Sequence, residues 1–166
     1  MLLAIISDTH LPRGPRRLPE ACVERLEAAD LILHAGDFSA ATVLRALESL
    51  GPVAAVHGNV DDREVRRRLP ERRVVEADGA RIAVIHDAGP AKGRLDRMRR
   101  RFPGVDAVVF GHSHVPAHER APGGRSGRFQ IFNPGSPTER RRSPRHTMGM
   151  ARVTDGRVEF ELVDLD

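Results

Sequence analysis

Ile32-Leu33-His34-Ala35-Gly36-Asp37 is a short apolar run that stops at a glycine and a carboxylate. In an α/β fold this is how a charged ligand is carried just past the carboxyl end of a buried strand. Four other runs end in the same manner: Ile5-Ile6-Ser7-Asp8-Thr9-His10, Ala55-Val56-His57-Gly58-Asn59, Val84-Ile85-His86 and Val108-Val109-Phe110-Gly111-His112-Ser113-His114. The reading is that these ends converge on two metal ions, with Asp37 between them.

Working outward, Leu2 to Ile6 is continuously apolar, as a strand buried on both faces requires. Leu11 to Leu18 holds Pro12, Gly14 and Pro15 and reads as a loop. Pro19 suits the first position of a helix carrying the stripe Ala21, Cys22, Val23, Leu26 and Ala29. Leu31 to Leu33 is the second strand. Ser39 is an expected N-cap for a helix with Val43, Leu44, Leu47 and Leu50, which Gly51-Pro52 ends, and Val53 to Val56 is the third strand. Strand, helix, strand, helix, strand argues for parallel pairing through right-handed crossovers. Asp61 to Leu69 reads as a short basic helix. Arg73 to Glu76 and Arg81 to Ile85 flank the hairpin signal Asp78-Gly79. Lys92 to Phe102 is a surface helix and Ala107 to Phe110 a buried strand. The last third reads as strands at Val115 to Arg120, Arg128 to Phe132, Thr147 to Val153 and Arg157 to Val163. A loop tip at Pro122 to Gly127, a basic loop at Arg140 to Arg145 and a turn at Asp155-Gly156 separate them. With no internal repeat and no linker, residues 1–166 are expected to form one domain. Its expected class is α/β (α+β), a four-layer αββα sandwich of two mixed sheets with helices outside.

The totals narrow the function. A chain of 166 residues can bury a real core. It has no Trp and no Tyr, which leaves little for stacking single-stranded bases. Its net charge of +4, almost all from Arg, favours or tolerates anionic partners; genomic base composition gives the same bias. Cys22 is the only cysteine, so an intramolecular disulfide is impossible, and it is expected to pack in its helix. The first apolar run is too short for a signal peptide. No run approaches the roughly 20 residues that span a membrane. The expected compartment is the cytoplasm.

Asp8 and His10, two apart, would face one ion if the backbone after the strand stays extended. His112 and His114 repeat that spacing. Carboxylate with neutral imidazole suits Mn, Fe, Zn or Co. A bridging carboxylate can hold two ions ~3.5–4 Å apart, which polarises a phosphate and generates hydroxide near neutral pH. Any one of these motifs alone is ordinary turn chemistry. All five in order, each at a strand end, are not explained by turns.

Ser7-Asp8-Thr9-His10, Gly36-Asp37, Gly58-Asn59-Val60-Asp61, His86 and Gly111-His112-Ser113-His114 resemble, in order, the motifs of the calcineurin-like metallophosphoesterases. The compact length and Asn133-Pro134-Gly135-Ser136 resemble the small YfcE-type phosphodiesterase branch. The resemblance implies the αββα fold and a dinuclear centre. One ion would be held by Asp8, His10, Asp37 and His114, and the other by Asp37, Asn59, His86 and His112. Manganese is the first expectation, with nickel, cobalt, iron or zinc as alternatives. Asp37, Asn59 and His86 would surround a metal-bridging hydroxide as nucleophile, and Asn59 would also touch phosphate. Two positions depart from the pattern. Val60 stands where larger members carry a His that protonates the leaving group, and Asp87 follows His86 where glycine is usual. Asp87 is expected to face solvent.

Other residues carry weaker signals. His34 and His57 suit either a supporting role or simple packing, whereas His118 and His146 read as surface residues. Asp61 and Asp62 are expected to cap the following helix. Asn133 and Ser136 belong to a turn that braces the site. The Arg clusters at 66–68, 99–101 and 140–142 read as solvated faces, one of which could line the substrate entrance. Specificity is expected from the loops Pro12 to Arg17, Ala88 to Gly93 and Ala121 to Ser126. The leading reading is a phosphodiesterase acting on a small phosphoester, a nucleotide-derived one among the options, without membrane involvement; homo-oligomerisation is left open. A retromer-subunit-like scaffold is the first alternative. The second is a nuclease on nucleic-acid ends, disfavoured by the absence of a helix-turn-helix or aromatic RNA-binding motif.

Overall fold

The computed structural model describes residues 1–122 and 129–166. Of the loop expected at 122–127 only Pro122 is described, and Arg128 also lies outside the described residues. The elements are β1 (Leu2–Ile6), α1 (Glu20–Glu27), β2 (Leu31–His34), α2 (Ala41–Leu50), β3 (Val53–Ala55), α3 (Arg63–Arg68), β4 (Arg72–Ala77), β5 (Ala80–Ile85), α4 (Arg94–Arg101), β6 (Ala107–Val109), β7 (Ala117–Arg120), β8 (Gln130–Asn133), β9 (Thr147–Thr154) and β10 (Arg157–Asp164). They form two five-stranded sheets, ordered β10-β9-β1-β2-β3 and β4-β5-β6-β8-β7. In the first, β1, β2 and β3 run parallel; in the second, β5, β6 and β8 do. The remaining strands pair antiparallel, so both sheets are mixed.

Alternation along the strands builds the layers. Leu3 and Ile5 of β1 face Ile82, Val84, Val109 and Phe132 of the other sheet, forming the core between the sheets. Ala4 and Ile6 point the opposite way, onto Cys22 and Leu26 of α1, Leu44 and Leu47 of α2, and Val65 of α3. On the far side, Ala83, Val108 and Ile131 pack under Met98 of α4. Central strands buried on both faces are apolar throughout in β1 and β6. The result is the αββα sandwich. Because β1–β3 and β5, β6 and β8 are parallel within their sheets, each sheet delivers several carboxyl ends to one edge. Main-chain bonds carry the pairing beyond the strands there: the amide of Asp8 donates to the carbonyl of Gly36 (3.0 Å) and that of Gly111 to the carbonyl of His86 (2.9 Å).

Helix starts differ from the sequence expectation. Pro19 is the N-cap of α1 and precedes its first helical residue. Ser39 does not cap α2, whose N-cap is Ala40. The Ala41 amide donates instead to Asp62 Oδ2 (3.1 Å), while Asp62 Oδ1 accepts from Val65 (2.8 Å). One carboxylate therefore serves the amino ends of both α2 and α3. Both hairpin turns use two left-handed residues, Asp78-Gly79 at φ 41° and 80° and Asp155-Gly156 at φ 48° and 75°, as tight turns between twisted strands require. No helix among the described residues is long and apolar enough to cross a membrane.

Gly149 of β9 lies directly against Phe132 of the other sheet. A Cβ there would stand 2.4 Å from Phe132 Cε1 and 3.2 Å from Ile5 Cβ. Gly149→Ala should lower unfolding free energy by ~1–3 kcal/mol through overpacking. A urea midpoint equal to that of the wild type would refute the tight sheet contact.

Candidate metal centre

All seven candidate side chains sit at strand ends along that edge. Asp8 and His10 follow β1, Asp37 follows β2, Asn59 follows β3, His86 follows β5, and His112 and His114 follow β6. The backbone that presents them is not the extended one that the spacing suggested. Asp8, His10, Asp37, His112 and His114 all have left-handed φ, of 56°, 46°, 61°, 70° and 59°. Convergence of Asp8 with His10 therefore comes from two sharp bends. Non-glycine residues adopt this conformation at a cost, which neighbouring contacts must offset.

The side chains gather in two clusters. In the first, His114 Nε2 lies 3.4 Å and His10 Nε2 3.9 Å from Asp8 Oδ1, and the two Nε2 atoms are 3.1 Å apart. In the second, Asn59 Oδ1 is 3.1 Å from both His86 Nε2 and His112 Nδ1, which are 3.3 Å apart. Asp37 Oδ2 reaches both clusters, at 3.2 Å from His86 Nε2 and 3.8 Å from His10 Nε2. Donors bound to one ion at about 2.1 Å stand roughly 3.0–3.4 Å apart in tetrahedral or octahedral shells, so the spacing suits small divalent cations. Asp8 with His10 and His114, and Asp37 with His86 and His112, each place their donor atoms within 4.8 Å of one another.

Neighbouring carbonyls fix the imidazole tautomers. His86 Nδ1 donates to the carbonyl of Ala35 (2.8 Å) and His114 Nδ1 to that of Glu139 (2.8 Å). A carbonyl can only accept, so Nδ1 carries a proton in both rings and Nε2 is the atom turned toward the clusters, where the neutral ring offers a lone pair. His34 is the contrast. Its Nδ1 accepts from the Gly36 amide (3.1 Å), its Nε2 faces Thr9 Oγ1 (3.2 Å), and the ring stacks on Phe38 at 3.6 Å. It is a fully buried packing residue. His57 lies at the edge of the second cluster, with Nδ1 3.3 Å from the carbonyl of Gly58. Asp87 is exposed and accepts from the Gly89 amide; Val60 is 45% exposed.

Burial shapes the charges. It raises the Asp8 carboxyl to about 7, against opposing help from His86 and the Ser7 hydroxyl. Burial also pushes Asp37 upward, but the hydrogen bond and charge of His86 outweigh it and hold Asp37 at about 2. His10 and His114 are lowered by burial, His114 to about 4. They are thus neutral imidazoles near pH 7, the form that binds metal. His86 is raised, because Asp37 and Asp8 overcome its burial.

Asp61 does something that its sequence position concealed. Its carboxylate caps no helix; it accepts main-chain N–H groups from Asp37 (3.0 Å), Ser39 (2.8 Å) and Gly58 (2.6 Å). In return Asp37 Oδ1 accepts from the Val60 amide (3.0 Å). The loops after β2 and β3 are stapled in both directions. The turn at 133–136 braces the remaining loops: Ser136 Oγ donates to the carbonyl of Asp8 (2.8 Å), Thr138 Oγ1 to that of Thr9 (2.6 Å) and Asn133 Nδ2 to that of Gly111 (2.9 Å). Glu139 was also missed. Its Oε2 lies 3.9 Å from His10 Nε2, and Arg13 and Arg16 approach it at 3.5 and 3.4 Å. Nothing in its local sequence marks it apart from the basic run that follows. Gly111 is required for space: a Cβ there would fall 1.8 Å from Ser7 Oγ and 2.8 Å from Asp8 Oδ2.

Asp61→Ala would strand three N–H groups, two of them buried. It should cost about 2–4 kcal/mol of stability and weaken divalent-metal binding at least tenfold, measured by calorimetric titration. Unchanged affinity would show that the loops hold themselves. A second expectation concerns pH in chelated protein. The raised carboxyl of Asp8 adds stability that is fully present below its ordinary value of 3.8 and lost as pH rises through about 7. Asp8→Asn cannot ionise, so the melting temperature of the variant minus that of the wild type should increase from pH 5 to pH 8. A constant difference would contradict the assigned cause.

Residues 1–156 match the calcineurin-like phosphoesterase superfamily domain. A probable metallophosphoesterase of Methanothermobacter thermautotrophicus is 33% identical over 167 residues, covering 98% of this chain and 92% of the other. Among solved structures, wild-type Vps29 of Entamoeba histolytica complexed with Zn2+ aligns over 100% of both chains, with a TM-score of 0.75 at 22% identity. YfcE, a phosphoesterase from E. coli, also aligns over 100% of both chains, with a TM-score of 0.63 at 22% identity. These two structures bear on the fold alone.

Proposed function

The chain belongs to the calcineurin-like phosphoesterase superfamily, and we propose that it is a metal-dependent phosphodiesterase of the small YfcE-type branch. The observation that carries the reading is the position of Asp37 Oδ2, within 3.2 Å of one cluster and 3.8 Å of the other. Asp8, His10, Asp37 and His114 would hold one divalent ion, and Asp37, Asn59, His86 and His112 the other. Manganese is the first candidate, followed by nickel, cobalt, iron or zinc, because the donors are oxygen and imidazole nitrogen without thiolate. Two ions bound there would polarise the phosphoryl group and lower the pKa of water.

The chain itself supplies position and charge. The Ala35 and Glu139 carbonyls orient His86 and His114, and the Asp61 staple holds Asp37 against Asn59. Asn59, a neutral donor at the exposed side of the second cluster, is placed to touch phosphate as well. Position 60 offers no proton to a departing alkoxide, since its side chain is Val. Good leaving groups are therefore favoured, such as phenols, enols or the phosphate of a phosphoanhydride. A lone, buried Cys22 accords with a reducing cytoplasm.

The test is hydrolysis of bis-p-nitrophenyl phosphate by chelator-stripped protein resupplied with Mn, Ni, Co, Zn or Mg. Metal-restored turnover is expected, with Asp37→Asn lower by more than ~100-fold, beyond the loss usual for groups that only support a ligand. Full activity in stripped protein would overturn the proposal. So would no turnover in protein carrying two ions.

A further inference from the structure

A cavity of about 500 Å³ opens beside the second cluster. Asn59, His86 and His112 form one part of its wall, and Arg66 and Arg101 form another. Arg66 is not a loose surface side chain. Its Nε donates to the carbonyl of Asp61 (2.9 Å) and its Nη2 to that of Asn59 (2.5 Å). The guanidinium is thus anchored to the main chain of a candidate ligand. A guanidinium has five N–H groups in a rigid fork, and these two bonds leave three to offer.

Glu71 and Asp87 line the same cavity. Even so, the arginines in ion pairs among the described residues are Arg13, Arg16, Arg45, Arg68, Arg99 and Arg145, and neither Arg66 nor Arg101 is among them. Arg101 stands at the end of α4 with its guanidinium 5.8 Å from the Phe102 ring. It also lines an adjoining cavity of about 420 Å³ together with Arg72, Arg73 and Arg81. Positive charge therefore continues outward from the second cluster. Two guanidinium groups held apart from the carboxylates beside them, one already fixed in place, suit a bidentate oxyanion and spare most of the ordering cost of binding it.

We propose that this cavity is an anion subsite, and that the preferred substrate is a small phosphoester carrying a second phosphate, gripped by Arg66 and Arg101 while the scissile phosphate lies at the paired clusters. The inference rests on the phosphoesterase reading of the same site. It replaces the view of these arginines as solvated faces with a role in choosing the substrate.

Binding by manganese-loaded protein tests it without requiring turnover. The probes are adenosine 5′-monophosphate and adenosine 3′,5′-bisphosphate, which differ by one phosphate, titrated calorimetrically. The bisphosphate should bind at least about tenfold more tightly, as one charge-assisted contact allows. Arg101→Gln removes charge without touching the bonds that Arg66 makes to Asn59 and Asp61, and should reduce that ratio at least threefold. Glu71→Gln should increase it. A ratio within twofold of unity, or one that neither substitution moves, would overturn the subsite. Parallel hydrolysis of bis-p-nitrophenyl phosphate separates the two ideas. Turnover without bisphosphate preference would overturn only the subsite, whereas preference without turnover would overturn the enzyme reading and the substrate role with it, leaving an anion-binding cavity.

Discussion

Three main-chain N–H groups, those of Asp37, Ser39 and Gly58, point at the carboxylate of Asp61. These groups lie on two different loops, and a buried N–H without an acceptor costs about 1–3 kcal/mol. The loops can therefore keep this path only while that carboxylate is present. Asp37 completes the exchange by accepting from Val60. A candidate bridging ligand is thus also a structural acceptor: Oδ1 serves the backbone and Oδ2 faces the clusters. Any displacement of Asp61 would be felt at both candidate ion positions.

The same edge concentrates backbone cost. Five of the seven candidate ligands are left-handed, none of them glycine, at a cost of order 1 kcal/mol each. The bends are held by bonds from outside their own loops, including those of Ser136 and Thr138 to the carbonyls of Asp8 and Thr9. Glycine enters where space decides. At Gly36, with φ 93°, a Cβ would meet Gly58 N at 2.8 Å and His86 Nδ1 at 2.9 Å. Strand order brings the loops to one edge, and the absence of side chains at such points lets them close to coordination distances.

Much of this was legible in the sequence because strand and ligand are adjacent in the chain. An apolar run ending in Asp, Asn or His marks both the element and the group that it presents. The two hairpins were equally plain, since Asp-Gly states the turn conformation locally. What was hidden depends on partners distant in sequence. Asp61 looks like a helix cap, but its donors Asp37 and Ser39 lie 24 and 22 residues away on another loop. Ser39 looks like the cap of α2, but Asp62 reaches across to do that work. The extended geometry inferred for Asp8 and His10 failed for a related reason: tertiary bonds impose the bends that local preference alone would not choose. His34 and His57 could not be told apart by pattern, and only the bonds at their ring nitrogens separate a packing residue from one at the rim of the site.

The arrangement also bears on the choice between a catalyst and an inert scaffold. Without a cation, the first cluster sets two neutral imidazoles 3.1 Å apart beside a carboxyl that burial raises to about 7. Such a site is poorly solvated, and its left-handed bends carry a backbone cost. Asp8, His10 and His114 would hold a divalent ion with Asp8 as carboxylate and the imidazoles neutral, which would offset that burial. A scaffold that binds through its outer surface gains little from preserving these bends. Exposed large apolar side chains among the described residues, namely Met1, Val60, Val74, Val115 and Leu162, come from five separate segments. The polar groups, by contrast, are concentrated at one edge, beside a cavity that anchored arginine lines. Chemistry on an anion, as proposed above, would account for both the costly loops and that neighbouring charge.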